Sequence, residues 1–500
     1  MSKTAAAVTL ALRPRSDGAT LLRWLYDEIR LAIVEGRLRP GARLPSTRSI
    51  ALQYRVARGT VVAAFDHLIA EGYVEGNVGS GSFVRYMTTL AEPGAARARA
   101  RASAAAPALS VRGRRLAGNP FPFRSGVSPH TFRLDNAALE AFPIKTWSRI
   151  SARCLRTAVP DLLTHGNTLG FPPLRAAIAQ YLGMTRGVRC TAEEVVITSG
   201  TQSSLDLIAR LVLDPRDRVW VEDPCYPAVS SLLRGSGAEV IGVPVDDAGI
   251  DCEAGRRRAR AAKLACVTPG CHFPLGVTLS LQRRLALLEW AREAGAWVFE
   301  DDYDSQFGFS GRPLAALRSL DRRGCVIYSN SFSKMLFPSL RLGFLVVPQA
   351  LLGAVEAARS VLQRFPSVLD QAVLAEFISA GHLEQHMRRM RDLYTMRHDA
   401  LVRLAAQELS DVLRLSPVTA GLQTVGWLAD GIPELEASRV ALQQGILALA
   451  LSRLTIERTM PPGIVLGAAA TDVPAIRGGV EQLGVILRSL QRRMVQSSAR

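Results

Sequence analysis

No stretch of about 18 uninterrupted apolar residues occurs in this 500-residue chain, so the sequence offers no membrane-spanning helix. The short apolar segment within residues 1–18 runs into Arg13 and Arg15, which is not the pattern of a secretory signal, and a cytoplasmic protein is expected. Cysteine is sparse. The seven residues Cys154, Cys190, Cys225, Cys252, Cys266, Cys271 and Cys325 are odd in number, scattered and without a CxxC pair. That excludes a disulfide framework and a structural zinc site, and predicts reduced thiols. Acidic residues are also in deficit, 44 Asp and Glu against 61 Lys and Arg, for a formal net charge of +17.

The chain is too long for one ordinary domain and reads as two or three. With 48% hydrophobic residues it can bury a large core. Its charge is uneven: residues 1–118 hold 18 Lys and Arg against 8 Asp and Glu, which is +10 of the total. A polyanion would therefore meet the N-terminal quarter.

From 21 to 34, Leu22, Leu25, Ile29 and Ile33 share one helical face, and Gly36 supplies a stop. Ser46 can cap a second short helix through Ile50 and Leu52. A third helix is expected from about 58 to 71, with Val61, Val62, Phe65 and Leu68 inward. Residues 72–84 follow as a β-hairpin with a glycine-rich tip. Three helices and a wing, with Arg58 and Thr60 opening the third helix, put basic and hydroxyl groups where a recognition helix meets DNA.

This stretch resembles the GntR-type winged helix-turn-helix, carried by Leu25-Tyr26, Gly36-Arg37-Leu38, Pro40-Gly41, Leu44-Pro45-Ser46-Thr47-Arg48, Arg58-Gly59-Thr60-Val61 and Gly79-Ser80-Gly81. The resemblance implies that Arg43, Ser46, Arg48, Arg58, Thr60, Ser80 and Gly81 face double-stranded DNA. Ala57 stands where such domains usually carry Ser, and a helix cap or phosphate contact is lost with it.

Residues 87–118 read as a flexible basic linker between a first domain at 15–86 and a second at 119–500. Pro93 and Gly94 interrupt it, arginines are scattered among alanines, and no helical or strand period is present, although the alanines leave a helix open. About 30 coil residues span roughly 30 Å root-mean-square.

Beyond Asn119, continuous apolar runs at 195–198, 219–221, 264–267, 297–299, 326–328 and 344–347 alternate with helix-length segments. That predicts an α/β domain with a mainly parallel sheet covered on both faces, whose ligands sit at loops beyond the strand ends. Chemistry-bearing residues fall on those loops. Lys334, in Ser331-Phe332-Ser333-Lys334, can be desolvated and made nucleophilic toward an aldehyde cofactor. Ser199-Gly200-Thr201-Gln202 opens a helix and suits a phosphate. Tyr226 offers a ring to stack on a pyridine. The acidic run from Glu300 to Asp304 requires a cationic partner such as a pyridinium nitrogen, and Arg341 can return to the phosphate.

These segments resemble a fold-type I aminotransferase that depends on pyridoxal 5'-phosphate. Together with the first domain they are similar to the MocR subgroup of GntR-type regulators. The resemblance covers Gly170-Phe171-Pro172-Pro173, Glu222-Asp223-Pro224-Cys225-Tyr226-Pro227, Glu300-Asp301-Asp302-Tyr303-Asp304-Ser305 and Phe332-Ser333-Lys334. It assigns Lys334 to the imine with the cofactor, Asp301 to the pyridine nitrogen, Tyr303 to the phenolic oxygen and Tyr226 to stacking. Gly200, Thr201, Ser331 and Arg341 surround the phosphate. Spacing alone leaves Asp301 and Asp302 both open for the nitrogen.

Two departures stand out. The family's usual Thr-Pro-Ser-His-Gln-Phe-Pro-Thr-Gly is here Thr268-Pro269-Gly270-Cys271-His272-Phe273-Pro274-Leu275-Gly276, and residues 461–468 lack the arginine with which aminotransferases hold a substrate carboxylate. His382 and His386, four apart on an expected helix, read as a polar face rather than a metal site. The resulting expectation is a DNA-binding transcriptional regulator, a homodimer without membrane attachment, that senses pyridoxal phosphate or an amine or amino-acid effector. The alternatives are an aminotransferase with a fused DNA-binding domain and a plain effector domain whose Lys334 carries no cofactor.

Overall fold

The computed structural model describes residues 10–15, 18–77, 81–85, 109–117, 131–134, 137–157, 162, 164, 166–308, 315–417 and 421–498. The chain forms two compact units, 1–108 and 109–500. Among the described residues no helix is long and apolar enough to cross a membrane.

In the first unit, helices α1 (Leu21–Val34), α2 (Thr47–Tyr54) and α3 (Arg58–Ala70) precede strands β1 (Val74–Asn77) and β2 (Gly81–Val84), which pair antiparallel. Thr20 and Ser46 cap α1 and α2 by accepting the Arg23 and Ser49 N–H groups. Ala57 holds the same extended cap conformation before α3 but has no side chain to cap with. Leu25, Ile29, Ile50, Val61, Phe65 and Leu68 close a core with Val74 and Val84 from the hairpin. Val62 was expected inward, yet it is 37% exposed, and Ala64 takes the inner position instead. One residue along a helix turns the side chain by about 100°, enough to leave the buried face.

The sequence reading ended its linker at 118. Val111–Ala117 is instead a helix belonging to the second unit. Arg112 Nε donates to Gly235 O at 2.9 Å, and Leu116 lies so close to Gly235 that a Cβ there would meet its Cδ2 at 2.2 Å. Contact with the larger unit, rather than an internal apolar period, holds this helix.

The second unit is built on β3 (Val195–Thr198), β4 (Arg218–Asp223), β5 (Glu239–Asp246), β6 (Gly249–Ile250), β7 (Leu264–Val267), β8 (Trp297–Asp301), β9 (Val326–Ser331) and β10 (Gly343–Val346). Their order in one sheet is β3-β10-β9-β8-β7-β4-β5-β6. The five strands from β9 to β5 are mutually parallel, whereas β10 and β6 run against their neighbours. Strands β3, β7, β9 and β10 are buried at every residue, which is why their sequences are continuous and not alternating. Helices Thr201–Val212 and Leu281–Ala294 pack on this sheet in separate apolar clusters. A smaller antiparallel sheet, ordered β11-β12-β14-β13, follows from β11 (Leu413–Leu415), β12 (Gln423–Leu428), β13 (Leu449–Ala450) and β14 (Gly463–Gly467). The long helices His382–Glu408 and Val473–Ser498 cover it.

Candidate functional site

Parallel strands deliver their C-terminal ends to one edge of the large sheet, and there β4, β7, β8 and β9 surround a cavity of about 200 Å³. Gly200, Thr201, Tyr226, Asp301, Tyr303, Ser331, Lys334 and Arg341, eight positions separated by up to 141 residues of chain, all line it. Lys334 sits in the one-turn helix Phe332–Met335 directly after β9. It is one of only four lysines in the chain, with Lys3, Lys145 and Lys263. Its Nζ donates to Leu134 O at 2.5 Å. Behind it, His386 Nε2 lies 3.1 Å from Met335 O and ties the helix His382–Glu408 to the lysine turn. Burial pushes the His386 pKa down to about 4, so the ring is neutral and donates.

The phosphate end is set by Gly200, the residue before the helix Thr201–Val212, at φ +104°. The direction a Cβ would take at Gly200 points to Ser331 Oγ at 3.8 Å and Arg341 Nη2 at 3.9 Å. The first turn of the helix, the Ser331 hydroxyl and the Arg341 guanidinium therefore face one point beside Gly200. The Arg341 guanidinium donates to no other described residue. Gly343 is needed beneath, because a Cβ there would meet Gly200 Cα at 2.8 Å.

The two neighbouring aspartates separate cleanly. Asp302 turns away from the cavity and accepts two hydrogen bonds from Arg186, at 2.8 and 2.9 Å, and one from Tyr328 OH at 2.5 Å. Asp301 faces the cavity and accepts only a long hydrogen bond from Thr201 Oγ1, 3.3 Å. Burial, and then the charge of Asp302, push the Asp301 carboxyl up to about 8. No described residue gives it a cationic partner, which a bound ring nitrogen could supply.

Residues the sequence reading left without roles complete the walls. Gln423 Nε2 donates to Tyr303 OH at 2.9 Å and fixes the phenol. Glu222 lines the cavity and accepts from Thr268 N and Oγ1 at 2.9 and 2.6 Å, with burial raising its pKa to about 7. Asp304 accepts the Leu422 N–H at 3.3 Å, its second oxygen has no hydrogen-bond partner, and burial raises it to about 7 against the pull of the Lys334 charge. In the divergent loop, Thr268 and Phe273 line the cavity while Cys271 is buried beside Asp304. His272 is driven down to about 3 by burial and lies 3.0 Å from Pro224 O. The Phe273 and Tyr226 rings meet edge to face at 5.7 Å. At the place of the missing carboxylate clamp, β14 contributes Ile464, Val465 and Leu466, all fully buried.

In the first unit, Arg48, Arg58 and Gly81 are exposed and Arg43 and Thr60 half-exposed, whereas Ser80 lies outside the described residues. Ser46 spends its hydroxyl on the α2 cap. Arg43 pairs with Phe83 as an added strand to the wing, which places its guanidinium beside Gly81. Arg43, Arg48 and Arg58 have no side-chain partner among the described residues. By contrast Arg13 and Arg37 pair with Glu35, and Arg23 with Asp27. Arg15, Arg39 and Arg55 also lack a side-chain partner among the described residues, so the basic surface of this unit includes but is not confined to α2, α3 and the wing.

The fold and cavity define a winged helix-turn-helix joined to a fold-type I aminotransferase-like unit. Residues 22–84 match the family described as bacterial regulatory proteins, gntR family, and residues 138–461 match aminotransferase class I and II. The chain is 38% identical over 471 residues to a probable rhizopine catabolism regulatory protein, MocR, of Rhizobium meliloti, covering 94% of both chains. It is 30% identical to the pyridoxine biosynthesis transcriptional regulator PdxR of Corynebacterium glutamicum, over 94% of this chain and 97% of that one. Among solved structures, Pyrococcus horikoshii kynurenine aminotransferase superposes with a TM-score of 0.68 at 27% identity, over 73% of this chain and 92% of that one. The chain belongs to the MocR-type transcriptional regulators, gntR-family proteins that carry a class I and II aminotransferase domain.

Proposed function

We propose that this regulator binds duplex DNA through its winged helix and holds pyridoxal 5'-phosphate through Lys334, reporting the cofactor or an amine or amino-acid effector to the DNA-binding unit. One observation carries the reading. In a single chain, winged-helix arginines without side-chain partners among the described residues accompany a cavity lined by Lys334, by Arg341, also without such a partner, and by Asp301, whose carboxyl pKa burial raises.

The residues fit the cofactor. Gly200, Thr201, Ser331 and Arg341 would hold the phosphate, Asp301 the ring nitrogen, Tyr303 the phenolic oxygen and Tyr226 the ring face. When bound, pyridoxal phosphate supplies an aldehyde that captures amines and a ring that withdraws electrons. The chain's own groups do the rest. Gln423 keeps Tyr303 aimed inward, Asp304 places a carboxyl within the field of Lys334, and Tyr226 and Phe273 close an apolar side of the cavity. An absorption band in the visible on adding pyridoxal phosphate, lost in Lys334→Ala, is the expected result. Absence of the band in the wild type refutes the cofactor reading. Failure of the full-length protein to bind DNA in a salt-sensitive way refutes the regulator reading. Sustained turnover of an amino acid with a keto acid would favour an aminotransferase, which the apolar β14 opposes.

A further inference from the structure

Outside the cofactor cavity, three arginines, Arg115, Arg216 and Arg234, line a second cavity of about 450 Å³ on the large unit, with Glu239 in the wall. None of the three arginine side chains has a hydrogen-bond or ion-pair partner among the described residues. Glu239 is already paired with Arg218 at 3.3 Å. Like charges that line one cavity without ion-pair partners favour an anion between them. Arg115 comes from the docked helix Val111–Ala117, and Arg234 from the helix Pro227–Ser236 on which it packs.

The sequence leading into this helix is of one sign. From Pro93 to Leu134 the chain has eight arginines and no aspartate or glutamate. Arg115 thus follows closely in sequence on the stretch that joins the two units. Whatever path residues 85–110 take, they span at most about 90 Å. A duplex advances roughly 34 Å per turn, so the tether's limit corresponds to under about three turns of DNA flanking a site on the winged helix.

We infer that Arg115, Arg216 and Arg234 form a second DNA contact, binding backbone phosphates of duplex that flanks the winged-helix site. A single free phosphate shares this chemistry, but the run of arginines suits a continuous polyanion. The contact positions DNA and carries no sequence preference. It rests on the regulator reading above.

The test is the salt dependence of binding of the full-length protein to a labelled 40-base-pair duplex of arbitrary sequence. Each phosphate contact adds about 0.9 to the slope of log affinity against log salt, so R115Q/R216Q/R234Q should lower it by up to about 2.7. Glu239→Gln, which frees Arg218, should steepen it. An unchanged slope in both variants, with the wild type still binding, overturns this inference alone. No binding by the wild type sinks the regulator reading instead. Should the triple variant keep the wild-type DNA slope while losing saturable binding of inorganic phosphate at fixed ionic strength, the patch takes a free anion and the DNA assignment fails.

Discussion

Asparagine at 301 and asparagine at 302 are nearly isosteric changes at adjacent residues, and they should move the cofactor-free protein in opposite directions. Asp302→Asn strips the carboxylate that lies 2.8 Å from the Arg186 guanidinium, which is almost fully buried. Breaking such a pair costs about 3–5 kcal/mol. Asp301 is different. Its folded pKa of about 8 is raised above the ordinary aspartate value, so the stability it allows is complete at low pH and is lost as pH rises through 8. At roughly 1.4 kcal/mol per tenfold shift in proton affinity, the penalty at pH 8.5 approaches 5–6 kcal/mol. Asp301→Asn removes it, less about 1 kcal/mol for the Thr201 hydrogen bond. The unfolding midpoint at pH 8.5 should therefore rise for Asp301→Asn and fall for Asp302→Asn. Adding pyridoxal phosphate reverses the ranking. Losing the charged partner of the ring nitrogen costs about 3–5 kcal/mol, or about 10²- to nearly 10⁴-fold in affinity, so the cofactor stabilises Asp302→Asn and barely helps Asp301→Asn. Equal falls in midpoint for both variants, or wild-type cofactor affinity in Asp301→Asn, would refute the assignment of the two carboxyls.

Stability of the cofactor-free protein should decline between pH 5 and 8.5 in thermal melts, because Asp301 at about 8 and Glu222, Glu300 and Asp304 at about 7 all bind protons more tightly folded than unfolded. Three buried histidines, His272 at about 3, His386 at about 4 and His398 lowered by burial, act in the other sense below pH 6.5, but the four carboxyls titrate across more of this range and outweigh them. A melt that improves steadily toward pH 8.5 contradicts this balance. Ala57→Ser supplies the missing α3 cap and should stabilise the winged helix by about 1 kcal/mol, read as a higher denaturant midpoint and tighter DNA binding. Gly170→Ala, at φ +111° with Ile197 Cγ1 2.3 Å from the added Cβ, should cost about 2–5 kcal/mol, seen as a lower unfolding midpoint; a neutral result would mean that β3 can shift.

How much of this was legible in the sequence depends on where the deciding atoms lie. The parallel strands were readable because burial on both faces writes itself as unbroken apolar runs, and α2 because Ser46 is both the cap and its signal. Lys334 was readable from its place at the end of such a run. The choice between Asp301 and Asp302 was not. Consecutive residues at a strand end point to opposite sides, and nothing local says which side is the cavity. Arg186, 116 residues earlier, decides it by claiming Asp302 and leaving Asp301 with a proton and an open face. The docked helix Val111–Ala117 was hidden for the same reason: its anchor is the bare backbone of Gly235, and only the fold brings that glycine beneath Leu116. Long-range partners of this kind also gather Arg115, Arg216 and Arg234 into one cavity. A scattered arginine reads as solvated surface until the fold supplies its neighbours, so the second DNA contact could be inferred only after the chain was folded.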